Sequence, residues 1–168
     1  MTVQEEKYFF VDLDGTFAKN DLFQELLIKH LLRKPLHTVN TYIRGGVLQL
    51  KHLVFDNHTF SVNQVIVNRE VLKLIHDKIE SGYKIFLATA SPQEYADYVL
   101  KTWPIFDFAQ GSNQKINLKG QEKLNLMISF SEGAHFEYIG DSKADRIIFN
   151  MCPRYYKLTN NQIYECTN

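Results

Sequence analysis

The 168-residue chain has two cysteines, Cys152 and Cys166, which form neither a CxxC pair nor a zinc-ligand spacing. That scarcity argues against a disulfide scaffold, and reduced thiols in a cytoplasmic protein are expected. Charge of one sign is lacking as well, with 19 Lys plus Arg against 19 Asp plus Glu. Affinity for a nucleic-acid backbone normally needs a basic excess, so no nucleic-acid partner is expected and any anion binding must be local. No window approaches the roughly 18–20 uncharged apolar residues of a membrane-spanning helix. The start, MTVQEEKYFFVDLDGT, places two glutamates before its apolar run, lacks a small-residue cleavage site and does not read as a secretory signal. Internal repeats and low-complexity linkers are absent too. What remains has globular composition, 45% hydrophobic and 23% charged with 12 Phe and 9 Tyr, enough for one core and a small inserted subdomain.

Short β-rich runs alternate with helical stretches, the pattern of an α/β protein with a mostly parallel central sheet flanked by helices. Residues 8–13 form an apolar run ending in carboxylates, a buried first strand. Arg69–Glu80 carries Val71, Leu72, Ile75 and Ile79 at helical spacing, with Gly82 placed to end that helix. KIFLA at 84–88 is a second buried strand, after which Ser91, Pro92 and Glu94 suit the N-cap, first position and capping-box acid of a helix ending near Trp103. A short strand is expected at 106–109 and a helix at 123–130, with Leu124, Met127 and Ile128 on one face. A strand at 136–139, a helix at 143–150 and a last strand at 155–158 follow; the polar tail carries no readable element.

The stretch from about Asn20 to Asn57 breaks this rhythm and is too long for a plain loop. Residues 21–32 present a broad apolar helical face (Leu22, Phe23, Leu26, Leu27, Leu31, Leu32), and residues 39–55 are again apolar but interrupted by Gly45-Gly46. A small helical insertion over the end of the first strand is expected, dividing the chain into a core of 1–18 and 66–168 and an insertion of 19–65. Between Leu26 and Phe55 lie five basic residues, Lys29, Arg33, Lys34, Arg44 and Lys51, and no acid. A solvated basic face is the ordinary explanation; an anionic substrate, or peripheral contact with lipid headgroups, is the sharper one.

Carboxylates occupy the expected strand tips. Asp12 and Asp14 follow the first strand, where alternation points both to one side, about 6–7 Å apart. Gly15 supplies a tight turn and Thr16 a hydroxyl. Asp141 and Asp145 follow a later strand in GDSKAD, with Gly140 allowing the turn and an i, i+4 spacing that would put both acids on one helix face. Carboxyl ends of parallel strands are where open α/β sheets bind ligands. Acids converging there need a cation or a retained proton. All-oxygen donors favour a hard ion, Mg²⁺ rather than Zn²⁺. Thr89, with the backbone from Ala90 onward, can hold phosphate oxygens at the start of the next helix. Lys123 can supply a positive charge near a helix start, with Lys119 as its rival.

VDLDGT, KIFLATAS, NLKGQEK and YIGDSKAD, in this order from residue 11 to 145, resemble the four motifs of the haloacid dehalogenase-like (HAD) hydrolase superfamily. The most similar members are the HAD phosphatase-like domains found beside UbiA-type prenyltransferases. The resemblance implies a Rossmann-like core with a small helical cap inserted after the first strand, and a Mg²⁺-dependent phosphomonoester hydrolase. It implies Asp12 as the nucleophile that forms an aspartyl-phosphate and Asp14 as the general acid and then base. Asp12, Asp141 and the Asp14 carbonyl would be metal ligands, and Asp145 would order metal-bound water or hold Lys123. A small phosphorylated substrate follows, a sugar phosphate or a polyprenyl-linked phosphate. Phosphotransferase or phosphomutase chemistry through the same intermediate is the near alternative, and a non-catalytic regulatory module on the same scaffold the distant one.

The remaining polar residues have plain readings. Ser91 is expected as an N-cap, Asn113, Asn117 and Ser142 as turn residues, and Cys152 and Trp103 as packing residues. His30, His37, His52 and His58 match no metal spacing and are expected on partly exposed helix surface.

Overall fold

Apolar residues fill both faces of β1 (Lys7–Val11): Phe9 and Val11 belong to one buried cluster, Tyr8 and Phe10 to another on the opposite face. Burial on both faces is the signature of a central parallel strand. The computed structural model describes residues 6–56, 58–133 and 135–168. The first five residues, part of the stretch expected not to be a secretory signal, lie outside the described residues. β1 is followed by α1 (Leu22–Arg33), α2 (Pro35–Phe55), α3 (Arg69–Glu80), β2 (Tyr83–Pro92), α4 (Gln93–Thr102), β3 (Phe108–Ser112) and α5 (Gln121–Phe130). β4 (Phe136–Gly140), α6 (Arg146–Phe149), β5 (Arg154–Thr159) and β6 (Gln162–Thr167) complete the chain.

The sheet runs β3-β2-β1-β4-β5-β6, parallel throughout except for the antiparallel β5–β6 pair. From β1 the chain winds outward to β2 and β3 on one side and to β4 and β5 on the other. The switch of direction lies between β1 and β4, and the crevice at the carboxyl ends of such strands is where this architecture takes ligands. Val71 and Ile75 of α3 and Tyr95 and Val99 of α4 pack on one face of the sheet; Leu124 and Met127 of α5 and Ile148 and Phe149 of α6 pack on the other. The result is a three-layer α/β sandwich.

Several boundaries differ from those expected. β1 stops at Val11 rather than residue 13, because Phe17 N–H donates to the Asp12 carbonyl (3.1 Å) and Ala18 N–H to the Leu13 carbonyl (2.9 Å), curling the chain into a turn. α4 begins at Gln93 with Pro92 as its N-cap residue, which caps it with no side chain, so the expected Ser91 cap is not formed. Ile128 is 39% exposed; beside Leu124 and Met127 the buried face of α5 carries Lys123. The helix expected over 143–150 is a 3-10 turn, Lys143–Asp145, followed by the single turn of α6. The polar tail forms β6, turning back at Asn160 and Asn161, both with positive φ (51° and 64°). Asparagine tolerates that region better than most residues, and paired left-handed positions suit a two-residue hairpin.

α1, α2 and a 3-10 turn at Val62–Gln64 make up the insertion. It leaves and rejoins the core at a narrow neck, where Lys19 N–H donates to the Ile66 carbonyl (2.8 Å) and Asn68 N–H to the Phe17 carbonyl (2.8 Å). Asp21 caps α1 by accepting from Gln24 N–H at 2.9 Å. α2 breaks at Gly46, whose φ of 65° and ψ of −162° are open to glycine and few other residues.

Candidate active site

The turn after β1 and the loop after β4 bring three carboxylates together. Oxygens of Asp12, Asp141 and Asp145 all lie within 4.8 Å of one another. Two glycines permit the approach. A Cβ on Gly15, already at φ +79°, would stand 2.3 Å from Asp141 Oδ2, and one on Gly140 would stand 2.7 Å from both Asp145 Oδ2 and the Tyr138 hydroxyl. Gly140 therefore serves close packing rather than the turn expected of it. Asp141 and Asp145 do not share a helix face: Asp141 precedes the 3-10 turn, and Asp145 folds back so that its Oδ2 accepts from Ser142 N–H at 3.2 Å.

Lys123 reaches this cluster from the buried face of α5. Its Nζ donates to Asp12 Oδ1 at 2.9 Å and to the Tyr138 hydroxyl at 3.2 Å, and lies 3.7 Å from Asp145 Oδ1. Leu13 N–H also donates to Asp12 Oδ1 (2.9 Å), so among the described residues Oδ2 has no protein donor. Lys119 is exposed at the rim of the same cavity. Burial pushes the Asp12 carboxyl up, against the pull of the Lys123 charge. Burial would lower the Lys123 ammonium, yet Asp12 and Asp145 outweigh it and hold it above its ordinary value.

Asp14 lines the same cavity but is not part of this close carboxylate group. Its Oδ2 accepts from the Ser91 hydroxyl at 2.7 Å and the Thr89 hydroxyl at 3.3 Å, while Oδ1 is buried and, among the described residues, without a partner. Burial raises its pKa to about 6, with the Ser91 hydrogen bond opposing. An unmet buried acceptor is costly. A carboxyl that carries its proton on that oxygen, or gives it to a bound molecule, relieves the cost.

Lys51 is the residue that sequence reasoning placed elsewhere. Far from being solvated, it is 6% exposed, and from α2 its Nζ donates to the Ala90 carbonyl (2.6 Å) and to Asn117 Oδ1 (2.7 Å). Burial, then the nearby Lys119 charge, lowers its pKa to about 8. Ser91 and Asn117, expected as a cap and a turn residue, are thus partners of Asp14 and Lys51. The absence of acids along 26–55 was the signal available for Lys51; nothing local distinguished Ser91. Three carboxylates, Asp12, Asp141 and Asp145, converge on the single ammonium of Lys123, an excess of negative charge that a cation would balance. The all-oxygen donor set and its spacing fit a hard divalent ion.

These side chains line a cavity of about 410 Å³, to which Phe23, Gln24 and Val47 of the insertion also contribute. A larger hollow of about 620 Å³, lined by His52, His58, Phe60 and Glu94 among others, contains none of the strand-tip acids. Size alone would favour the second; the converging carboxylates and lysines favour the first. Of the histidines, His37 is exposed and His30 and His52 half-buried on their helices, while His58 lies beyond the end of α2. Cys152 is buried in the core, and Trp103 packs edge-on against Phe17 at 5.7 Å.

The structure is similar to a HAD family hydrolase from Salmonella enterica serovar Typhi (TM-score 0.63, 11% identity, covering 87% of this chain and 60% of that one). It is also similar to a phosphoserine phosphatase captured as a phospho-aspartyl intermediate analogue (TM-score 0.59, 13% identity, 90% and 86% covered). A predicted phosphoglycolate phosphatase from Haemophilus somnus 129pt gives a TM-score of 0.60 at 15% identity, with 92% and 85% covered. The chain therefore has the fold of the HAD hydrolases. In sequence it is 34% identical over 138 residues to the uncharacterized protein y4nM of Sinorhizobium fredii, a match covering 80% of this chain and 26% of that protein. The chain thus spans about a quarter of that relative's length. No family model matches. No described helix is long and apolar enough to cross a membrane.

Proposed function

We propose that this chain is a Mg²⁺-dependent phosphatase that hydrolyses a phosphomonoester through an aspartyl-phosphate on Asp12. The observation that carries the reading is the division of labour between two neighbouring acids. Asp12 has one oxygen held by Lys123 and Leu13 N–H and, among the described residues, no donor on the other, whereas Asp14 sits among the hydroxyls of Ser91 and Thr89. Burial raises both carboxyls, so it is their contacts that divide the roles: a lysine and a backbone N–H on Asp12, two hydroxyls on Asp14. The HAD fold, and the phospho-aspartyl analogue described for one phosphoserine phosphatase of similar structure, support it.

In the first half-reaction Asp12 Oδ2 bonds to phosphorus as the bond from phosphorus to the leaving oxygen breaks, and Asp14 gives that oxygen a proton. In the second, Asp14 takes a proton from a water that attacks the same phosphorus, releasing phosphate and restoring the Asp12 carboxylate. Lys123, the Thr89 hydroxyl and the backbone at Ala90 orient the phosphoryl oxygens. Asp12, Asp141 and the Asp14 carbonyl would hold Mg²⁺, which would supply charge neutralisation at those oxygens. Asp145 holds Lys123 in place. Lys119, at the cavity rim, is left to long-range attraction of the substrate.

A small sugar phosphate fits the cavity's size, and the motif likeness to domains beside prenyltransferases supports a polyprenyl-linked phosphate. The two free thiols, Cys152 and Cys166, suit a cytoplasmic setting. The test is phosphate release from sugar, nucleotide and polyprenyl phosphates with and without Mg²⁺, with an acceptor alcohol added in parallel to detect transferred phosphate. Metal-dependent release from at least one class is expected; no release and no acid-stable phosphorylated protein across the panel would overturn the reading.

A pH dependence follows from Asp14. The fraction able to donate a proton falls as pH rises through about 6, so kcat/KM for an alkyl phosphate, whose leaving oxygen needs that proton, should decline above it. With p-nitrophenyl phosphate, whose leaving group needs little help, the decline should be shallow. Asp14→Asn should cost the alkyl substrate about 10²–10⁴-fold and p-nitrophenyl phosphate far less. Equal losses on both would remove Asp14 from the acid role.

A further inference from the structure

α1 is apolar on two opposite sides. Leu22 and Leu26 are buried against the core, while Ile28, Leu31 and Leu32 face outward, with Leu32 80% exposed. α2 continues the outward surface with Leu36, Val39 and Ile43, at three- and four-residue steps along one face; Leu36 is 86% exposed and Ile43 75%. Water-soluble helices normally keep one face polar, and a helix apolar on both sides needs a second cover. Single exposed apolar side chains are ordinary, but here six large ones cluster at the tip of one hairpin. Four exposed basic residues, Lys29, Arg33, Lys34 and Arg44, border them, and residues 26–55 hold no acid.

We propose that the tip of the α1–α2 hairpin docks on a membrane surface carrying anionic lipids. The charge pattern chooses among occupants. A second copy of this hairpin would bring eight like charges to one interface, whereas an anionic bilayer pairs headgroups with the basic rim and takes up the apolar tips. Each basic residue near such a surface favours binding by about fivefold, and leucine and isoleucine tips inserted at the headgroup boundary add their own burial. Val47, beyond the Gly46 break, lines the acidic cavity and is 42% exposed. The proposal stands independently of the phosphatase reading, because it uses none of the groups assigned to that chemistry.

Sedimentation with phosphatidylcholine vesicles containing about one-third phosphatidylserine, at about 0.1 M and about 0.5 M salt, tests it. The chain should bind the anionic vesicles at low salt and lose at least about tenfold in partitioning at high salt or on pure phosphatidylcholine. Lys29→Gln/Arg33→Gln/Lys34→Gln/Arg44→Gln should show the same loss at low salt, and Leu32→Ser/Leu36→Ser/Ile43→Ser should abolish binding, with unchanged circular dichroism in both variants. Absence of binding to anionic vesicles at low salt overturns the proposal, as does binding that survives both sets of substitutions. A dimer detected by light scattering that the serine variant dissolves, with no vesicle binding by the parent chain, assigns the surface to a second copy instead.

Discussion

Asp12→Asn should lower phosphate release by at least about 10⁴-fold, more than about 5 kcal/mol in the barrier, while leaving a folded protein. The amide keeps the shape of the carboxylate and can still accept from Leu13 N–H and Lys123, the contacts that hold Asp12 Oδ1 now. What it loses is the charge on the oxygen that attacks phosphorus, and with it the covalent route. The fold tolerates the change because burial already disfavours the charged form of Asp12, as do Asp145 and Asp141 beside it. Lys123 retains Asp145 at 3.7 Å. Single-turnover kinetics with circular dichroism on the same preparation check both halves. Turnover near the parent level would remove Asp12 as nucleophile, and an unfolded variant would show that the Asp12–Lys123 pair is needed for folding.

Lys123→Met should have the largest effect on stability. It leaves Asp12 and Asp145 buried without their cation, and removing one partner of a buried pair costs about 3–5 kcal/mol. The loss should depend on pH. Burial holds the folded-state pKa of Asp12 above its ordinary value, and without the lysine it rises further. A carboxyl raised in this way favours folding below its unfolded pKa and loses that contribution as pH rises through the folded value. The gap between variant and parent should therefore be small near pH 4 and widest at neutral pH, narrowing when Mg²⁺ is added, since an ion that binds the folded form stabilises it. Lys119→Met, exposed at the cavity rim, should leave the midpoint of thermal unfolding nearly unchanged. Urea unfolding at both pH values separates the two lysines; an equal loss for each would contradict the placement of Lys123.

Much of this site was legible because it rests on local rules. Asp12, Asp14 and Asp141 stand just beyond runs of strand-forming residues, and a strand tip can be read from where the apolar run ends. α3 was legible to the residue, with apolar positions at helical spacing and Gly82 at a left-handed φ of 79° just beyond its end. Lys51 was not, because its role depends on which side of α2 meets the core, and α2 is apolar on more than one side. Ser91 looked like a helix cap by its neighbours. In the structure the chain after Ala88 slips in register against β3 and the helix starts later, which frees the hydroxyl for Asp14. The asparagine pair at 160–161 was a readable hairpin signal that the polarity of the tail concealed.

By itself the sequence determined the order of strands and helices as far as β5 and the acids at the strand ends, because these follow from periodicity and turn chemistry within a few residues. Only the tertiary structure decided that β1 lies between β2 and β4, so that Asp12 meets Asp141 and Asp145. It alone decided that Lys123 rather than Lys119 enters the cluster, that Lys51 reaches down from α2, and that Ile28, Leu32, Leu36 and Ile43 face outward. Such pairings join residues up to 133 positions apart, Asp12 to Asp145, and they are set by which apolar faces bury one another, a property of the packed whole that no local pattern contains.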